Sequence, residues 1–92
     1  MPLNSMLKLI LYSKPGCHLC EGLQEKLAQI SDPALELEVR NITDREDWFA
    51  AYQYEIPMLY RVTDTGQTEL IPRPSPRASV DNLRRLLQKL TD

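Results

Sequence analysis

The change in hydrophobic spacing over the first forty residues restricts the fold of this chain more than any other feature. Residues 7–11 (LKLIL) are nearly all apolar, which is typical of a strand buried on both faces. Residues 13–16 (SKPG) favour a turn, and the apolar positions that follow recur every three or four residues, as on one face of a helix. Apolar and charged residues then alternate over residues 35–40, which indicates a strand with one wet face. This order predicts a β-α-β unit with parallel strands and a right-handed crossover. The helical face consists of Cys20, Leu23, Leu27 and Ile30.

A second helix is predicted after the second strand. Thr43 and Glu46 have the spacing of a capping box, in which the two side chains satisfy unpaired amides at a helix start. The helix that they open would direct Trp48, Ala51 and Tyr52 toward the core.

The second half of the chain predicts a hairpin and a last helix. Residues 58–62 have the composition of a strand, residues 64–67 (DTGQ) that of a tight turn, and residues 68–71 that of the returning strand. Residues 72–77 (PRPSPR) contain three prolines, which exclude regular structure. Ser79 is a suitable N-cap for the last helix. Its apolar face would consist of Val80, Leu83, Leu86, Leu87 and Leu90.

The predicted element order is therefore β-α-β-α-β-β-α, an α/β fold with a four-stranded mixed sheet flanked by helices. Ninety-two residues are too few for two cores, so residues 1–92 are expected to form one domain. A net charge of −2 without a basic cluster argues against nucleic acid or an anionic membrane as a partner. No apolar run reaches the roughly 18 residues needed to span a bilayer, and the N-terminus lacks a secretion signal. We expect a cytoplasmic protein, monomeric in solution.

The only two cysteines, Cys17 and Cys20, lie where the first strand gives way to the first helix. Helix amides and the helix dipole favour negative charge there, so the pKa of the Cys17 thiol is expected to fall from about 8.5 into the range of roughly 3.5–7.5. Cys20 lies one turn deeper, on the inward face. This asymmetry predicts that Cys17 is the nucleophile in thiol-disulfide exchange and Cys20 the resolving cysteine. In a reducing cytoplasm such a pair is more often reactive than structural.

Two other interpretations of the cysteine pair remain open. Tetrahedral zinc needs four ligands, whereas the chain offers only Cys17, Cys20 and its single histidine, His18. A zinc or iron-sulfur site would need ligands from a second subunit or from glutathione, so no metal is expected. The cysteines can also be buried residues without chemical consequence.

The chain resembles the glutaredoxin-like members of the thioredoxin superfamily over essentially its whole length. The resemblance rests on the element order, on the CHLC motif of residues 17–20 after the first strand, and on Ile56-Pro57 before the third. It implies a thioredoxin-like fold in which Pro57 is a cis-proline that faces the active site. It also implies that Ile56 offers its backbone to a bound peptide or to glutathione.

Three residues near the motif have roles that depend on this resemblance. Lys14 stands three positions before the nucleophile, where it would hold a glutathione carboxylate or stabilise the thiolate; otherwise it is a solvated loop lysine. His18 and its neighbour replace the usual Pro-Tyr. A protonated His18 would stabilise the thiolate and raise the reduction potential, unless the imidazole is turned to solvent. Tyr12 would either join the rim of the site or pack on the sheet.

The region before the last helix departs from the family pattern. Glutathione-using members have a Gly-Gly pair there, whereas residues 72–82 of this chain read PRPSPRASVDN. Ser79, Val80 and Asp81 could still offer amides and a carboxylate to glutathione as a co-substrate, and no tightly bound cofactor is expected. The resemblance implies a small thiol-disulfide oxidoreductase acting on protein or glutathione mixed disulfides. The alternative is a non-catalytic binding module that uses the groove beside Pro57.

Overall fold

The computed structural model describes residues 6–90. Its elements are β1 (Leu7–Ser13), α1 (His18–Ala28), β2 (Leu35–Asn41), a 3-10 turn (Ile42–Asp44), α2 (Glu46–Tyr52), β3 (Met58–Val62), β4 (Thr68–Ile71) and α3 (Val80–Lys89). The predicted α/β class and element order are confirmed, with the 3-10 turn as an addition. Within the described part of the chain, no helix is both long enough and apolar enough to cross a membrane. The predicted absence of a secretion signal concerns a segment that includes residues 1–5, which lie outside the described residues.

The four strands form one mixed sheet in the order β2-β1-β3-β4. β1 is parallel to β2 and antiparallel to β3, and β3 and β4 form the predicted hairpin. Gly66 has a φ of +86° at the hairpin turn, a conformation that glycine adopts without steric cost. The carboxyl end of β1, where the site begins, thus lies between two neighbouring strands.

β1 is buried on both faces, as its apolar run predicts. Leu7, Leu9 and Leu11 pack on the face covered by α1 and α3, while Ile10 and Tyr12 pack on the face covered by α2. Alternate side chains of a strand point to opposite faces of the sheet, so a strand covered on both sides is apolar over its covered part. Lys8, near the start of β1, is exposed. The helices hold the sheet with buried Leu23 and Leu27 from α1 and buried Leu83 and Leu87 from α3.

The predicted capping box is wrong. The Thr43 hydroxyl donates to Oδ1 of Asn41 at 2.7 Å, and the Thr43 amide donates to the same oxygen at 2.9 Å. Thr43 is therefore held in a 3-10 turn that Asn41 caps, and α2 begins after Arg45 without a side-chain cap. The competing acceptor two residues earlier explains why Glu46 opens the helix instead of closing a box. Ala51, expected to point inward, is exposed.

The aromatic residues of α2 do pack on the sheet as predicted. Trp48 and Tyr52 contact the ring of Tyr12, which stacks on Tyr52 at 4.2 Å between ring centroids. The Tyr12 hydroxyl accepts a hydrogen bond from Arg40 at 2.9 Å. Tyr12 is therefore part of the sheet packing, which decides between its two predicted positions. The prediction that β2 has one buried apolar face and one wet face is only partly right. Val39, on the face predicted to be buried, is exposed on this edge strand.

Candidate functional site

Cys17 occupies the junction between β1 and α1. Gly16 has a φ of +82°, and the Cys17 amide donates to the Lys14 carbonyl at 3.2 Å, which closes the turn that leads into the helix. Cys17 is the N-cap of α1, and its Sγ accepts a hydrogen bond from the Cys20 amide at 3.2 Å. The sulfur takes the place of the side-chain oxygen that usually satisfies an amide at a helix start. This amide is directed at the atom on which a thiolate charge would reside.

Cys17 and Cys20 form a disulfide bond, with a Cα–Cα distance of 5.2 Å. Cys20 is 2% exposed and lies in the inward face of α1, while Cys17 is half-buried. The predicted difference in accessibility is therefore confirmed. An incoming disulfide can reach the sulfur of Cys17 more readily than that of Cys20.

The two residues between the cysteines face solvent. The His18 side chain is 94% exposed, and its Nδ1 lies 3.4 Å from Oε1 of Glu21, one helical turn along α1. The imidazole therefore pairs with a carboxylate, which would balance the charge of a protonated His18. Leu19 is 51% exposed, an unusual position for a leucine at the start of a helix.

The predicted cis peptide bond between Ile56 and Pro57 is confirmed. A second cis bond, Asp32-Pro33, was not predicted. Pro57 is buried, and the Ile56 amide donates to the Tyr52 carbonyl at 3.1 Å. The Ile56 amide, one of the backbone groups expected to face a ligand, therefore already has a partner within the protein.

A groove of about 310 Å³ adjoins the cysteine motif. One wall is α1, the second is Pro57, and the third is the proline-rich segment before α3. The lining side chains are mostly apolar or proline; they are His18, Leu19, Gly22, Leu23, Lys26, Pro57, Arg73, Pro74, Ser75, Pro76, Ala78 and Leu83. The volume lies at the lower end of the roughly 300–1,000 Å³ typical of ligand pockets, so the groove suits a small group.

Two cations hold the proline-rich segment in place, and neither was predicted to do so. Nζ of Lys26 donates to the carbonyls of Pro76 and Ala78 at 2.8 and 2.7 Å. The Arg73 guanidinium donates to the Glu55 carbonyl, which ties the segment to the loop before Pro57. The sequence contained one indication that Lys26 lies beside the groove. Residues 19, 22, 23 and 26 recur at helical spacing and therefore share one side of α1.

The three residues at the start of α3 that were predicted to bind glutathione, Ser79, Val80 and Asp81, lie outside this groove lining. Ser79 is the predicted N-cap of α3, and its hydroxyl accepts from the Asn82 amide at 3.0 Å. The Asp81 carboxylate pairs with Arg84 at 2.6 Å and Arg85 at 2.9 Å. The hydrogen bond from Arg84, reinforced by the charge of Arg85, holds the pKa of Asp81 below its usual value. Both polar side chains thus already have partners, and Val80 packs against the core.

Of the other predicted residues, the structure brings His18 and Pro57 together in the groove lining. Lys14 is exposed and lines a separate shallow cleft with Cys20 and Glu21. The predicted site is therefore divided between two sides of α1. Among residues 6–90, no three His, Cys, Asp or Glu side chains are grouped so that they could hold a metal ion.

The chain is similar to a known protein family and to a solved structure. A family model described as "Glutaredoxin-like domain (DUF836)" matches residues 8–88, which include the cysteine motif and Pro57. Among solved structures, the X-ray structure of Northeast Structural Genomics target protein XcR50 from X. campestris is 28% identical in sequence. That match covers 88% of this chain and 96% of that chain, with a TM-score of 0.59. No curated protein matches the chain.

Proposed function

Because the chain belongs to the glutaredoxin-like domain family (DUF836) and has its thioredoxin-like fold, we propose that it is a small thiol-disulfide oxidoreductase. One observation carries the proposal: half-buried Cys17 caps α1, its sulfur accepts the Cys20 amide, and it is bonded to a second cysteine that is buried. A non-reactive pair would need neither the amide on the sulfur nor the difference in exposure.

The reaction begins with the reduced protein. The Cys17 thiolate attacks one sulfur of a substrate disulfide, so that a mixed disulfide forms and the other substrate sulfur leaves as a thiolate, which takes up a proton. Cys20 then loses its proton and attacks Sγ of Cys17, which forms the Cys17–Cys20 disulfide and releases the second substrate thiol. Two electrons and two protons have passed to the substrate. A thiol reductant returns the protein to its dithiol form by the reverse exchange.

The two cysteines have different surroundings that suit these steps. The amides at the start of α1, including that of Cys20, stabilise negative charge on Cys17 and so favour its thiolate. Cys20 is buried beneath Cys17, so an incoming disulfide meets Cys17 first and Cys20 reacts with the mixed disulfide. Cys17 therefore acts first and Cys20 resolves.

The proposal includes the substrates and setting expected from the sequence. The substrates are protein disulfides or glutathione mixed disulfides, and the protein acts as a monomer in the cytoplasm, where thiol reductants are abundant. Neither nucleic acid nor a membrane is a partner in this proposal, and no tightly bound cofactor takes part. The apolar groove supports one alternative function, that of a binding module in which the cysteines are dispensable.

The test is the equilibrium of the cysteine pair against reduced and oxidised glutathione, with free thiols trapped and weighed by mass spectrometry. We expect a reversible loss of two hydrogens, and for C20S a stable adduct on Cys17. C17S should reduce no disulfide. If the wild-type thiols stay free in oxidising buffer, or if their disulfide opens only in unfolded protein, the oxidoreductase proposal fails and the binding module takes its place.

A further inference from the structure

The groove begins at the residues between the two cysteines. His18 and Leu19 form its near end, and Pro57 and the proline-rich segment close its far side. A substrate whose sulfur is bonded to Cys17 can reach this groove with the part of its chain that neighbours its own cysteine. Whatever the groove accepts contributes to substrate choice.

The lining of the groove is mostly apolar, and its two cations, Lys26 and Arg73, point at backbone carbonyls. Leu19, Pro57 and Pro74 contribute apolar surface. The ammonium of Lys26 is bound by two carbonyls, and the Arg73 guanidinium is bound by a third. An apolar side chain gives up no hydrogen bond on entering this lining, whereas a carboxylate would exchange its water for cations that already donate to backbone carbonyls.

The side chains at the start of α3 are also paired already, so they do not favour glutathione, an anionic tripeptide. The Ser79 hydroxyl is used by its own helix, and the Asp81 carboxylate is held by two arginines. A γ-glutamyl amino group would have to compete with Arg84 and Arg85 for Asp81. The side chains at the start of α3 that were expected to hold glutathione therefore already have partners within the protein.

A second cleft continues the groove past Pro57 and Arg73, which line both. Tyr54 and Leu70 of this cleft are exposed apolar residues, and β4 is an edge strand of the sheet. An edge strand has unpaired backbone groups that an extended polypeptide can use. The continuous surface is thus longer than a single side-chain pocket and suits a polypeptide.

We propose that this groove selects protein disulfides in which an apolar side chain neighbours the reactive cysteine, in preference to glutathione disulfides. The inference rests on the proposed function, since it names the substrate class of the same site. Leu19 is its specificity-determining residue, and Lys26 and Arg73 are positioning residues that hold the opposite wall.

The test uses matched substrates with one chromophoric leaving group. Cysteine peptides flanked by Leu, Ser or Asp, and glutathione, each carry the same thionitrobenzoate group in a mixed disulfide. Reduced protein is mixed with each, and the second-order rate of thionitrobenzoate release is measured. The Leu peptide should react about tenfold faster than the Ser peptide, the size of effect that one buried apolar group produces. The Asp peptide and glutathione should be slower than the Leu peptide by at least that factor.

Two variants of exposed residues distinguish the effect of the groove on the rate ratio from general effects on reactivity. L19S should reduce the Leu-to-Ser rate ratio to about threefold or less, because the ratio cancels any change in the intrinsic reactivity of Cys17. F49S removes another exposed apolar side chain, on α2 across the sheet, and should leave the ratio unchanged. Equal rates for the Leu and Asp peptides, fastest reaction with glutathione, or equal effects of L19S and F49S would overturn the proposal.

A binding measurement distinguishes failure of this inference from failure of the proposed function. C17S/C20S protein is titrated with the same peptides in which serine replaces cysteine, and binding is followed by the NMR shifts of Leu19. Selective binding of the Leu peptide supports the groove proposal even if no disulfide is reduced. Binding that does not distinguish Leu from Asp overturns it, whether or not the cysteines are reactive.

Discussion

Asp81 is a residue whose ionisation has a clear structural cause. Its carboxylate lies in the first turn of α3, where it accepts from Arg84 and faces Arg85. The hydrogen bond from Arg84 lowers the pKa of Asp81 from the ordinary 3.8. A carboxyl whose pKa is lower in the folded than in the unfolded state stabilises the fold above its unfolded pKa. This contribution is lost as the pH falls through the folded pKa.

D81N should therefore have a lower Tm than the wild type near neutral pH, and the difference should vanish in acid below the folded pKa of Asp81. The pair is exposed, so the difference should be small and should shrink with added salt. Thermal unfolding followed by circular dichroism from pH 2 to 7 measures it. E36Q, at an exposed position of β2, serves as the control and should show no such trend. A D81N difference that persists at pH 2 would mean that Asp81 acts through packing or capping instead of charge.

At the scale of elements, Lys26 joins α1 to the segment that precedes α3. Its ammonium donates to two carbonyls that lie 50 and 52 positions further along the chain. Residues 72–79 have no regular structure, and the Ala78 amide is paired only within a turn, to Ser75. The position of this wall therefore depends on contacts such as that of Lys26.

K26M removes both hydrogen bonds but keeps an unbranched side chain on the helix. Hydrogen exchange of the Ala78 amide should become faster, by about five- to tenfold if roughly 1 kcal/mol of local stability is lost. The preference for the Leu peptide should weaken in parallel. K89M alters an exposed lysine in the last turn of α3 and should leave Ala78 exchange as it is in the wild type. Unchanged exchange in K26M would show that Lys26 does not position the segment.

At the scale of the whole molecule, stability depends on β1, the strand that both layers of helices cover. Leu11 is 0% exposed and lies opposite Val39 in β2 and Leu59 in β3. L11A should lower the free energy of unfolding by about 2–5 kcal/mol, because it removes buried methyl groups and leaves a cavity. Chemical denaturation of L11A and of the wild type, each in the disulfide form, measures this loss.

The matched control is L70A, the same truncation at an exposed position of the edge strand β4. Its effect should stay within about 0.5 kcal/mol. Equal losses in L11A and L70A would mean that burial in the central strand does not dominate the stability of this fold.

The sequence by itself determined the features that depend on neighbours along the chain. The apolar run of residues 7–11 predicted a strand buried on both sides, and helical spacing after Cys17 predicted α1 with Cys20 inward; both are confirmed. Ser79 as the cap of α3 and the turn at Gly66 were also predictable from local chemistry. The capping box failed because Asn41, outside the four-residue pattern, competes for Thr43.

Only the tertiary structure decided which residues meet across the chain. It placed Lys14 on one side of α1 and the groove on the other. It also assigned Lys26 to the carbonyls of Pro76 and Ala78, a pairing that no local pattern encodes. Periodicity and capping reflect interactions within a few residues, whereas the partner of a long side chain is set when separate elements pack together. The cysteine pair was therefore readable from sequence, and the chemistry of the groove beside it was not.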